Sequence, residues 1–370
     1  MNNLQVYKLP KNNNIDIFTK NDNLVITTPF QNNPLFSLGY HYFIGRTRDA
    51  MSITDKLVTK NDFYYVVNPY EPNVPNYEDT LINSSKIYLK KEVESRDFYK
   101  FWEICFLFDI VEGTNLECLI MKDYGEAQAF DLYRNKFHDK ESKKDKVTKS
   151  YKKGVTADII VANNIGTTEN DFVEILIEEI KNIIECQNKD GNLILRVFDT
   201  FTIPTLKLIY LITSLYEESY IYKPFLSRPS ENEKYIICKS YKNKEGKKII
   251  SNLEEILKNI KNVFISDVFL DLEVPKEFID VFKFTNIKLV NQQQIIINEI
   301  IKYIKDNNYF GDKYHEYRNQ QIEATTHWVT SFYPPSNNLY KENKDSLTKL
   351  LKTTWEKNIL EKDKFISQLN

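Results

Sequence analysis

Between residues 96 and 240 the apolar positions follow two patterns in alternation. One is a spacing of three or four residues, typical of an amphipathic helix, and the other is a short uninterrupted run, typical of a buried strand. The helical spacing predicts helices at 96–108, 127–137, 171–185 and 204–216, and the runs predict strands at 116–121, 158–162, 192–198, 220–223 and 234–239. Strands that alternate with helices form a mostly parallel, doubly wound sheet, so we predict an α/β domain here.

The patterns on either side of this region are weaker. Residues 1–94 are rich in Asn, interrupted by Pro, and contain only short apolar pieces, so we interpret them as an irregular extension with short strands. Helical spacing returns near the C-terminus, most clearly at 253–260, 277–282 and 294–304. We therefore divide the chain into an N-terminal extension (1–94), an α/β domain (95–245) and a helical C-terminal region (246–370).

The charge of the chain is nearly balanced, with 50 Lys and Arg against 52 Asp and Glu and a net charge of −2. Any contact with nucleic acid must therefore come from a local basic patch. The clearest candidate is the predicted loop 140–153, which carries Lys140, Lys143, Lys144, Lys146, Lys149, Lys152 and Lys153. These lysines either bind RNA phosphates or form an ordinary solvated surface, which the acidic Asp139, Glu141 and Asp145 partly neutralise.

The composition disfavours several classes of protein. No run of 18 apolar residues predicts a membrane span, and the first residues lack the charged-then-apolar pattern of a signal peptide. We expect buried core cysteines in a reducing cytosol, and no metal site, because Cys105, Cys118, Cys186 and Cys238 lie far apart in apolar surroundings. Only 9 glycines are present, although loops that bind nucleotides are usually rich in glycine.

Three segments carry a resemblance to a known family. Residues 95–104 (SRDFYKFWEI) are similar to a helix that bears a catalytic lysine, and residues 191–198 (GNLILRVF) to a glycine-then-strand element. Residues 223–238 (KPFLSRPSENEKYIIC) are similar to a motif with the order Lys-Pro, Ser-Arg and Glu-x-Tyr. Together, over roughly residues 95–240, they resemble the FtsJ/RrmJ family of RNA ribose 2′-O-methyltransferases. This resemblance implies a Rossmann-like fold and the cofactor S-adenosylmethionine (SAM).

The family's catalytic set is Lys-Asp-Lys-Glu. A lysine held between carboxylates there has its position fixed or its pKa lowered, and it assists deprotonation of the ribose hydroxyl. The resemblance places the four roles on Lys100, Asn163, Arg196 and Glu233, so two of them are changed. Asparagine carries no charge, and arginine essentially never releases its proton in a protein. We therefore interpret Arg196 and Glu233 as a structural ion pair, and Asn163 as the cap of a strand end.

The cofactor loop also departs from the family pattern, in which an Asp-x-Gly-x-x-Pro-Gly-Gly turn lets the backbone approach SAM. The corresponding residues 123–130 are DYGEAQAF, so Asp123 and Gly125 are remnants of the cofactor site and the Pro-Gly-Gly core is absent. The 38 residues from Gly125 to Asn163 leave little room for two strand–helix crossovers. We expect the strand that carries the ribose-binding carboxylate to be trimmed or missing.

A second, looser resemblance concerns residues 29–43, which contain Pro-Phe, Pro-Leu, Ser-Leu and Tyr-x-Tyr-Phe in order, together with an Ala-Asp strand and a helical tail. These features are similar to the small stimulatory subunit of poxvirus mRNA capping enzymes, which has a methyltransferase-like fold without a working SAM site. The resemblance implies a partner, the guanine-N7 methyltransferase domain of the large capping subunit, bound as a heterodimer.

These observations favour a non-catalytic subunit of a viral-type, cytoplasmic mRNA-capping system that needs no cofactor. The alternatives are an active cap 2′-O-methyltransferase that binds SAM and capped mRNA, and a plain RNA-binding module. Lys100 is then either a catalytic base or a solvated helix residue.

Two aromatic groups have alternative interpretations. The segment Tyr40–Phe43, with Arg46 and Arg48, either stacks a cap guanine or packs against the methyltransferase partner. Trp328, Phe332 and Tyr333 are predicted to lie at an exposed interface.

Overall fold

The computed structural model describes residues 4–12, 18, 24–28, 32–57, 64–71, 93, 95–163, 166, 168–242, 246–260 and 264–368. It contains a seven-stranded sheet and a separate two-stranded sheet. The strands are β1 (Gln5–Lys8), β2 (Val25–Thr28), β3 (Glu117–Ile120), β4 (Lys146–Lys149), β5 (Ala157–Ala162), β6 (Gln187–Val197), β7 (Tyr216–Lys223), β8 (Lys234–Tyr241) and β9 (Phe264–Val268). The order in the large sheet is β1-β7-β8-β6-β5-β3-β4, and β2 pairs with β9.

The direction of the strands decides where their connecting loops meet. β4, β3, β5 and β6 are parallel neighbours. β8 is antiparallel to β6, β7 to β8 and β1 to β7, so five of the seven strands run in one direction. The predicted mostly parallel α/β sheet is therefore confirmed. The carboxyl ends of β3, β5 and β6 meet at one side of the sheet, which we call the carboxyl edge.

Helices cover both faces of the large sheet. They are α1 (Leu38–Asp49), α2 (Arg96–Phe108), α3 (Glu126–Phe137), α4 (Glu169–Cys186), α5 (Ile203–Ser214), α6 (Gly246–Asn259), α7 (Lys276–Lys305), α8 (Asp312–Phe332) and α9 (Asn337–Ser367). One apolar core contains Leu176 of α4 and Phe282 of α7. The other contains Trp102 of α2 and Trp328 of α8. Successive strand residues contribute to opposite cores because side chains alternate along a strand.

The N-terminal extension takes part in the large sheet. β1 pairs with β7, so that Gln5 lies opposite Lys223 and Lys8 opposite Tyr220. The outer side of β1 is covered by α9, whose Asn358 donates a hydrogen bond of 2.8 Å to the Val6 carbonyl oxygen. The predicted division into three stretches stays a prediction, but the first and last of them contact each other along β1.

Two local predictions were wrong, each for a physical reason. Residues 38–49 form α1, which the pattern does not reveal because Ile44 is the buried residue of this helix. The predicted loop 140–153 contains β4, an edge strand of polar sequence (KVTK) without an apolar run. The helical segments predicted at 277–282 and 294–304 are confirmed, and both belong to the single helix α7, where buried polar residues such as Asn286 interrupt the apolar spacing.

The predicted exposed interface around Trp328 was also wrong. Trp328 and Phe332 are buried, because α8 packs against α2. The indole nitrogen of Trp328 donates to the Glu103 carboxylate at 3.1 Å, and that of Trp102 donates to the Phe332 carbonyl oxygen at 2.7 Å. The sequence pattern missed this packing because most residues of α8 are polar, so its apolar face is narrow.

Two expectations about the chain's class can be compared with the fold. In the described parts of the chain, every helix is too short or too polar to cross a membrane. All four cysteines are free thiols in the protein interior, as predicted.

Candidate active site

Helix α2 presents two oppositely charged residues at the carboxyl edge. Ser95 caps the helix, because its side-chain oxygen accepts a hydrogen bond of 3.1 Å from the Asp97 N–H. Asp97 and Lys100 are three residues apart and therefore share one helix face. The Lys100 ammonium contacts Asp97 Oδ1 at 2.8 Å and Glu233 Oε2 at 2.7 Å. Lys100 is thus neither solvated nor free.

Arg196, near the end of β6, completes the arrangement. Its guanidinium lies 3.5 Å from Asp97 Oδ2 and also contacts Glu233 Oε1. Each carboxylate therefore touches both cations, and we call this closed set Lys100–Asp97–Arg196–Glu233 the four-charge ring. The structure thus brings together three of the four residues in the predicted catalytic set, and the predicted ion pair between Arg196 and Glu233 is present. Asp97 was not predicted as a member.

The ring is buried and internally neutral. Lys100, Arg196 and Glu233 are 3%, 8% and 1% exposed. Burial alone would raise the pKa of Glu233, but the charges of Lys100 and Arg196 and a hydrogen bond from Ser227 lower it to about 2. Burial likewise opposes the charge of Arg196 and would lower its pKa. The neighbouring Tyr235 and Glu233 outweigh this effect, so the pKa of Arg196 is raised above its usual value. The ring therefore pairs two basic side chains, of which Arg196 is permanently charged, with two acidic ones.

Asn163 does not belong to the ring. It follows β5, and its amide nitrogen donates to Glu126 Oε1 at 2.6 Å and to the Lys122 carbonyl oxygen at 3.1 Å. Its own Oδ1 has no hydrogen-bond partner in the described residues. The second oxygen of Glu126 accepts from the Tyr124 N–H at 2.7 Å. Glu126, only 2% exposed, thus turns inward at the start of α3 and ties the cofactor loop to β5.

The environment of Glu126 gives a pH-dependent stability. Burial, supported by the charges of Asp97 and Asp123, raises the pKa of Glu126 to about 7 against the opposing Tyr124 N–H. The folded state therefore binds this proton more tightly than the unfolded state. Its contribution to stability is present at low pH and is lost as the pH rises through about 7.

We expect Glu126→Gln to flatten the dependence of the free energy of unfolding on pH between about pH 5 and about pH 8. Glutamine cannot ionise, so the loss of stability on deprotonation disappears, while Glu103, whose pKa burial also raises to about 7, keeps part of the slope. Urea unfolding at several pH values measures the effect. Glu174→Gln, on the exposed face of α4, is the matched control and should keep the full slope. Equal slopes in Glu126→Gln and the unmodified chain would contradict the prediction.

The remnants of the cofactor loop are occupied by contacts within the protein. Asp123 Oδ1 accepts hydrogen bonds from the N–H groups of Gly125 and Ala127 at 3.0 and 3.1 Å. Gly125 has a φ of +130°, and a Cβ there would lie 2.7 Å from Ser95 Oγ. The loop is therefore folded back against α2, and its one glycine serves that close approach.

The neighbouring strand does not offer the expected carboxylate. In nucleotide-binding folds an acidic residue at the end of the next strand binds the ribose hydroxyls. The strand next to β3 is present but short, and it ends at Lys149, whose ammonium pairs with Asp123 Oδ2 at 2.7 Å. The strand that we expected to be trimmed or missing is present as β4, which has four residues like β3 and ends in a lysine. The residues at these two strand ends do not fit the ribose of SAM.

The candidate RNA-binding lysines do not form one surface at the ring. Lys143 and Lys144 precede β4, and Lys146, at its first position, pairs with Glu117 at 3.2 Å. These residues lie at the end of the sheet opposite to the carboxyl edge, because β4 is parallel to β3. Lys152 and Lys153 lie on the return to β5. Of this set, Lys149 is the lysine that reaches the cofactor loop, and RNA binding by the others stays a prediction.

The aromatic segment Tyr40–Phe43 is divided between two sides of α1. The rings of Tyr40 and His41 lie against Phe36, at centroid distances of 5.0 and 6.4 Å. Tyr42 and Phe43 point outward and are 69% and 47% exposed. The structure therefore does not bring the four residues together as a single stacking site.

Comparison with known proteins finds a family match within the α/β domain that contains the four-charge ring. Residues 124–241 match the FtsJ-like methyltransferase family. "Uncharacterized protein R383" of Acanthamoeba polyphaga mimivirus is 25% identical over 246 residues, which are 64% of this chain and 66% of that protein. The cap-specific mRNA (nucleoside-2′-O-)-methyltransferase 1 of Dictyostelium discoideum is 35% identical over 89 residues, 24% of this chain and 12% of that protein. A cap-specific mRNA (nucleoside-2′-O-)-methyltransferase of Autographa californica nuclear polyhedrosis virus is 30% identical over 96 residues, 24% of this chain and 37% of that protein. The matched part is thus about two thirds of the mimivirus protein and well under half of the other two.

Proposed function

We propose that this chain, whose residues 124–241 form an FtsJ-like methyltransferase domain, transfers no methyl group itself and regulates a methyltransferase that acts in mRNA capping. The observation that carries the proposal is Arg196 at the family's central lysine position. Its guanidinium is paired with both carboxylates of the four-charge ring and cannot accept the proton of a ribose hydroxyl. Glu233 is a poor substitute, since a carboxylate with a pKa of about 2 is a weak base.

The cofactor side of the site supports the same proposal. The carboxylate of Asp123 is paired with Lys149, and Glu126, the next residue after the glycine of the cofactor loop, lies buried against Asn163. A ligand that enters here must first break these contacts. Opening the buried contact between Glu126 and Asn163 opposes binding by on the order of 1–3 kcal/mol for each hydrogen-bonded group left unpaired. The Asp123–Lys149 pair adds less than about 1 kcal/mol, because the lysine side chain is 64% exposed.

We expect no binding of SAM or S-adenosylhomocysteine to the purified chain up to about 1 mM, which corresponds to a free energy weaker than about −4 kcal/mol. Isothermal titration measures this directly. Transfer of a labelled methyl group to capped RNA is the second measurement, with the baculovirus cap-specific methyltransferase as the positive control. The variant Asn163→Asp/Arg196→Lys restores two catalytic residues, yet we expect it to be inactive because the loop contacts of Asp123 and Glu126 are unchanged.

Two results would overturn the proposal. Micromolar SAM binding, or methyl transfer by the unmodified chain, would make the protein an enzyme. Methyl transfer by the double variant would show that the cofactor loop is intact and that our account of Asp123 and Glu126 is wrong. With no SAM binding, co-purification from an expressing cell identifies the protein that the chain holds.

The partner we propose is the guanine-N7 methyltransferase domain of a capping enzyme, in a cytoplasmic viral system. This part rests on the sequence resemblance to the small stimulatory subunit of poxvirus capping enzymes. The proposed role is compatible with the four-charge ring, because the charges of the ring are paired with one another and Arg196 cannot act as a base.

A second candidate function is an active cap 2′-O-methyltransferase. It is favoured by the two relatives whose names give that activity, and by the retained contact of Lys100 with Glu233 at 2.7 Å. The titration with SAM separates the two candidates, because the active enzyme must bind its methyl donor.

A further inference from the structure

A cavity of about 470 Å³ lies at the carboxyl edge beside the four-charge ring. Its inner wall contains Phe198, Asp199 and Asn232, which follow β6 and precede β8. Arg196 of the ring lies 5.3 Å from the centre of the Phe198 ring, so the cavity and the ring share a boundary. The outer wall contains Arg48 and Met51.

These two outer residues belong to one segment, which consists of α1 and the 3₁₀ helix Ala50–Lys56 and which we call the α1 strap. The strap contacts the domain through a small apolar set: Tyr40 packs beside Ile44, and Met51 packs against the cluster that contains Ile300. Ile44 is the buried residue of α1, where it packs with Phe201 and Val290, and the 3₁₀ helix contains no buried residue. Segments with so little buried apolar surface open locally at a low cost in free energy.

The two ends of the strap are attached in different ways. At its N-terminal end, backbone hydrogen bonds connect it to the start of α5: the Leu35 N–H donates to the Phe201 carbonyl at 2.7 Å, and the Ile203 N–H donates to the Asn33 carbonyl at 2.8 Å. At the other end, the contacts that the described residues make with the domain are those of side chains. A segment fixed by backbone at one end and by side chains at the other can rotate about the fixed end.

The strongest side-chain contact is a bidentate ion pair. Arg48 NH1 lies 2.7 Å from Asp199 Oδ2, and NH2 lies 2.8 Å from Oδ1. Asn232 donates to the same Asp199 at 2.9 Å, which fixes the carboxylate on the inner wall. Both partners of the pair are about one third exposed, at 31% and 29%, so water and salt can reach it.

We propose that the α1 strap is a lid over this cavity, hinged at residues 33–37 and held closed by the Arg48–Asp199 pair. The pair bridges the two walls of the cavity, so its opening separates them. Met51 moves with the strap and uncovers the inner wall. The proposal goes beyond the proposed function, because it concerns access to the cavity and needs neither SAM nor a partner.

Hydrogen–deuterium exchange of the full chain, read by mass spectrometry, tests the lid. We expect Asp199→Asn to raise the exchange rate of amides in residues 38–56 by roughly tenfold, and Arg48→Lys, which keeps the charge but not the bidentate geometry, by a smaller factor. Raising the salt concentration to about 1 M should increase the same rates in the unmodified chain, since the pair is screened. Exchange in α7 and β6 should stay unchanged.

Arg46→Gln is the matched control, because Arg46 lies two residues from Arg48 on the exposed face of α1. We expect it to leave the exchange of the strap unchanged. The proposal is overturned if Asp199→Asn leaves residues 38–56 as protected as before, since apolar contacts would then hold the strap. It is also overturned if exchange in α7 and β6 rises as much as in the strap, since the pair would then stabilise the whole fold.

Discussion

Replacing Glu233 with Ala is expected to lower the free energy of unfolding by about 3–5 kcal/mol. The carboxylate contacts Lys100 and Arg196 at once and is 1% exposed. Without it, two buried cations face only Asp97, and Ser227 loses its acceptor at 2.7 Å. A buried charge that loses its partner retains its full cost of removal from water, which is why the expected effect exceeds that of an ordinary ion pair.

Denaturant unfolding followed by far-ultraviolet circular dichroism measures this loss. Glu231→Ala is the matched control, because Glu231 lies in the same loop and pairs with Arg228 at 3.3 Å while its side chain is 43% exposed. We expect less than about 1 kcal/mol for the control, as for other surface ion pairs. If the two variants were equally stable, the four-charge ring would not stabilise the fold.

The second large effect is expected for Trp328→Ala, at about 3–5 kcal/mol. Trp328 is 2% exposed, contacts Tyr99 edge-to-face and Phe332 at a tilt, and donates from its indole nitrogen to Glu103 at 3.1 Å. Its removal leaves a cavity between α8 and α2 and takes one donor from a buried carboxylate. Because this contact joins the helical C-terminal region to the α/β domain, both should unfold at lower denaturant concentrations.

Two further variants separate the effect of the lost hydrogen bond from the effect of the cavity. Trp328→Phe keeps most of the ring but loses the N–H group, so we expect about 1 kcal/mol, the usual value of one hydrogen bond. Trp355→Ala removes a half-buried tryptophan of α9, where little cavity forms, and should cost clearly less than Trp328→Ala. Equal losses for the two alanine variants would show that burial at α8 is not what binds the C-terminal helices.

The elements that the sequence predicted well are those that local chemistry determines. Helix α2 has the predicted bounds 96–108, because Ser95 caps it and apolar residues recur at helical spacing. Strand β4 could not be predicted, because an edge strand with one solvated side needs no apolar run, and its four residues are polar. The apolar spacing is weak between the two clearest segments of helix α7, because Asn286 is buried there and donates to the Thr200 carbonyl at 3.2 Å, a partner that only the fold provides.

In the candidate site, too, contacts within one local motif could be predicted, whereas contacts that depend on how the elements pack could not. Lys100, Arg196 and Glu233 could be placed together from their motifs, since each motif is local in sequence. Asp97 could have been suspected from its position three residues before Lys100 on a helix, but its contact with Arg196 depends on how α2 packs on the sheet. The hydrogen bond between Asn163 and Glu126 could not be predicted from the sequence, because it depends on the Glu126 side chain turning inward at the start of α3.

The pairing of β1 with β7 has a consequence for the order in which the strands pair while the chain is being synthesised. Residues 5–8 leave the ribosome long before residues 220–223, to which they hydrogen-bond. At about 5–20 residues per second, the first strand waits roughly 10–40 s for its neighbour, and longer for Asn358 to cover its outer side. The strands from β3 to β8 can assemble in that interval. Strand β1 therefore stays without its partner in the large sheet until β7 has been made, and it is then added to the edge of a sheet whose strands β3 to β6 are already present.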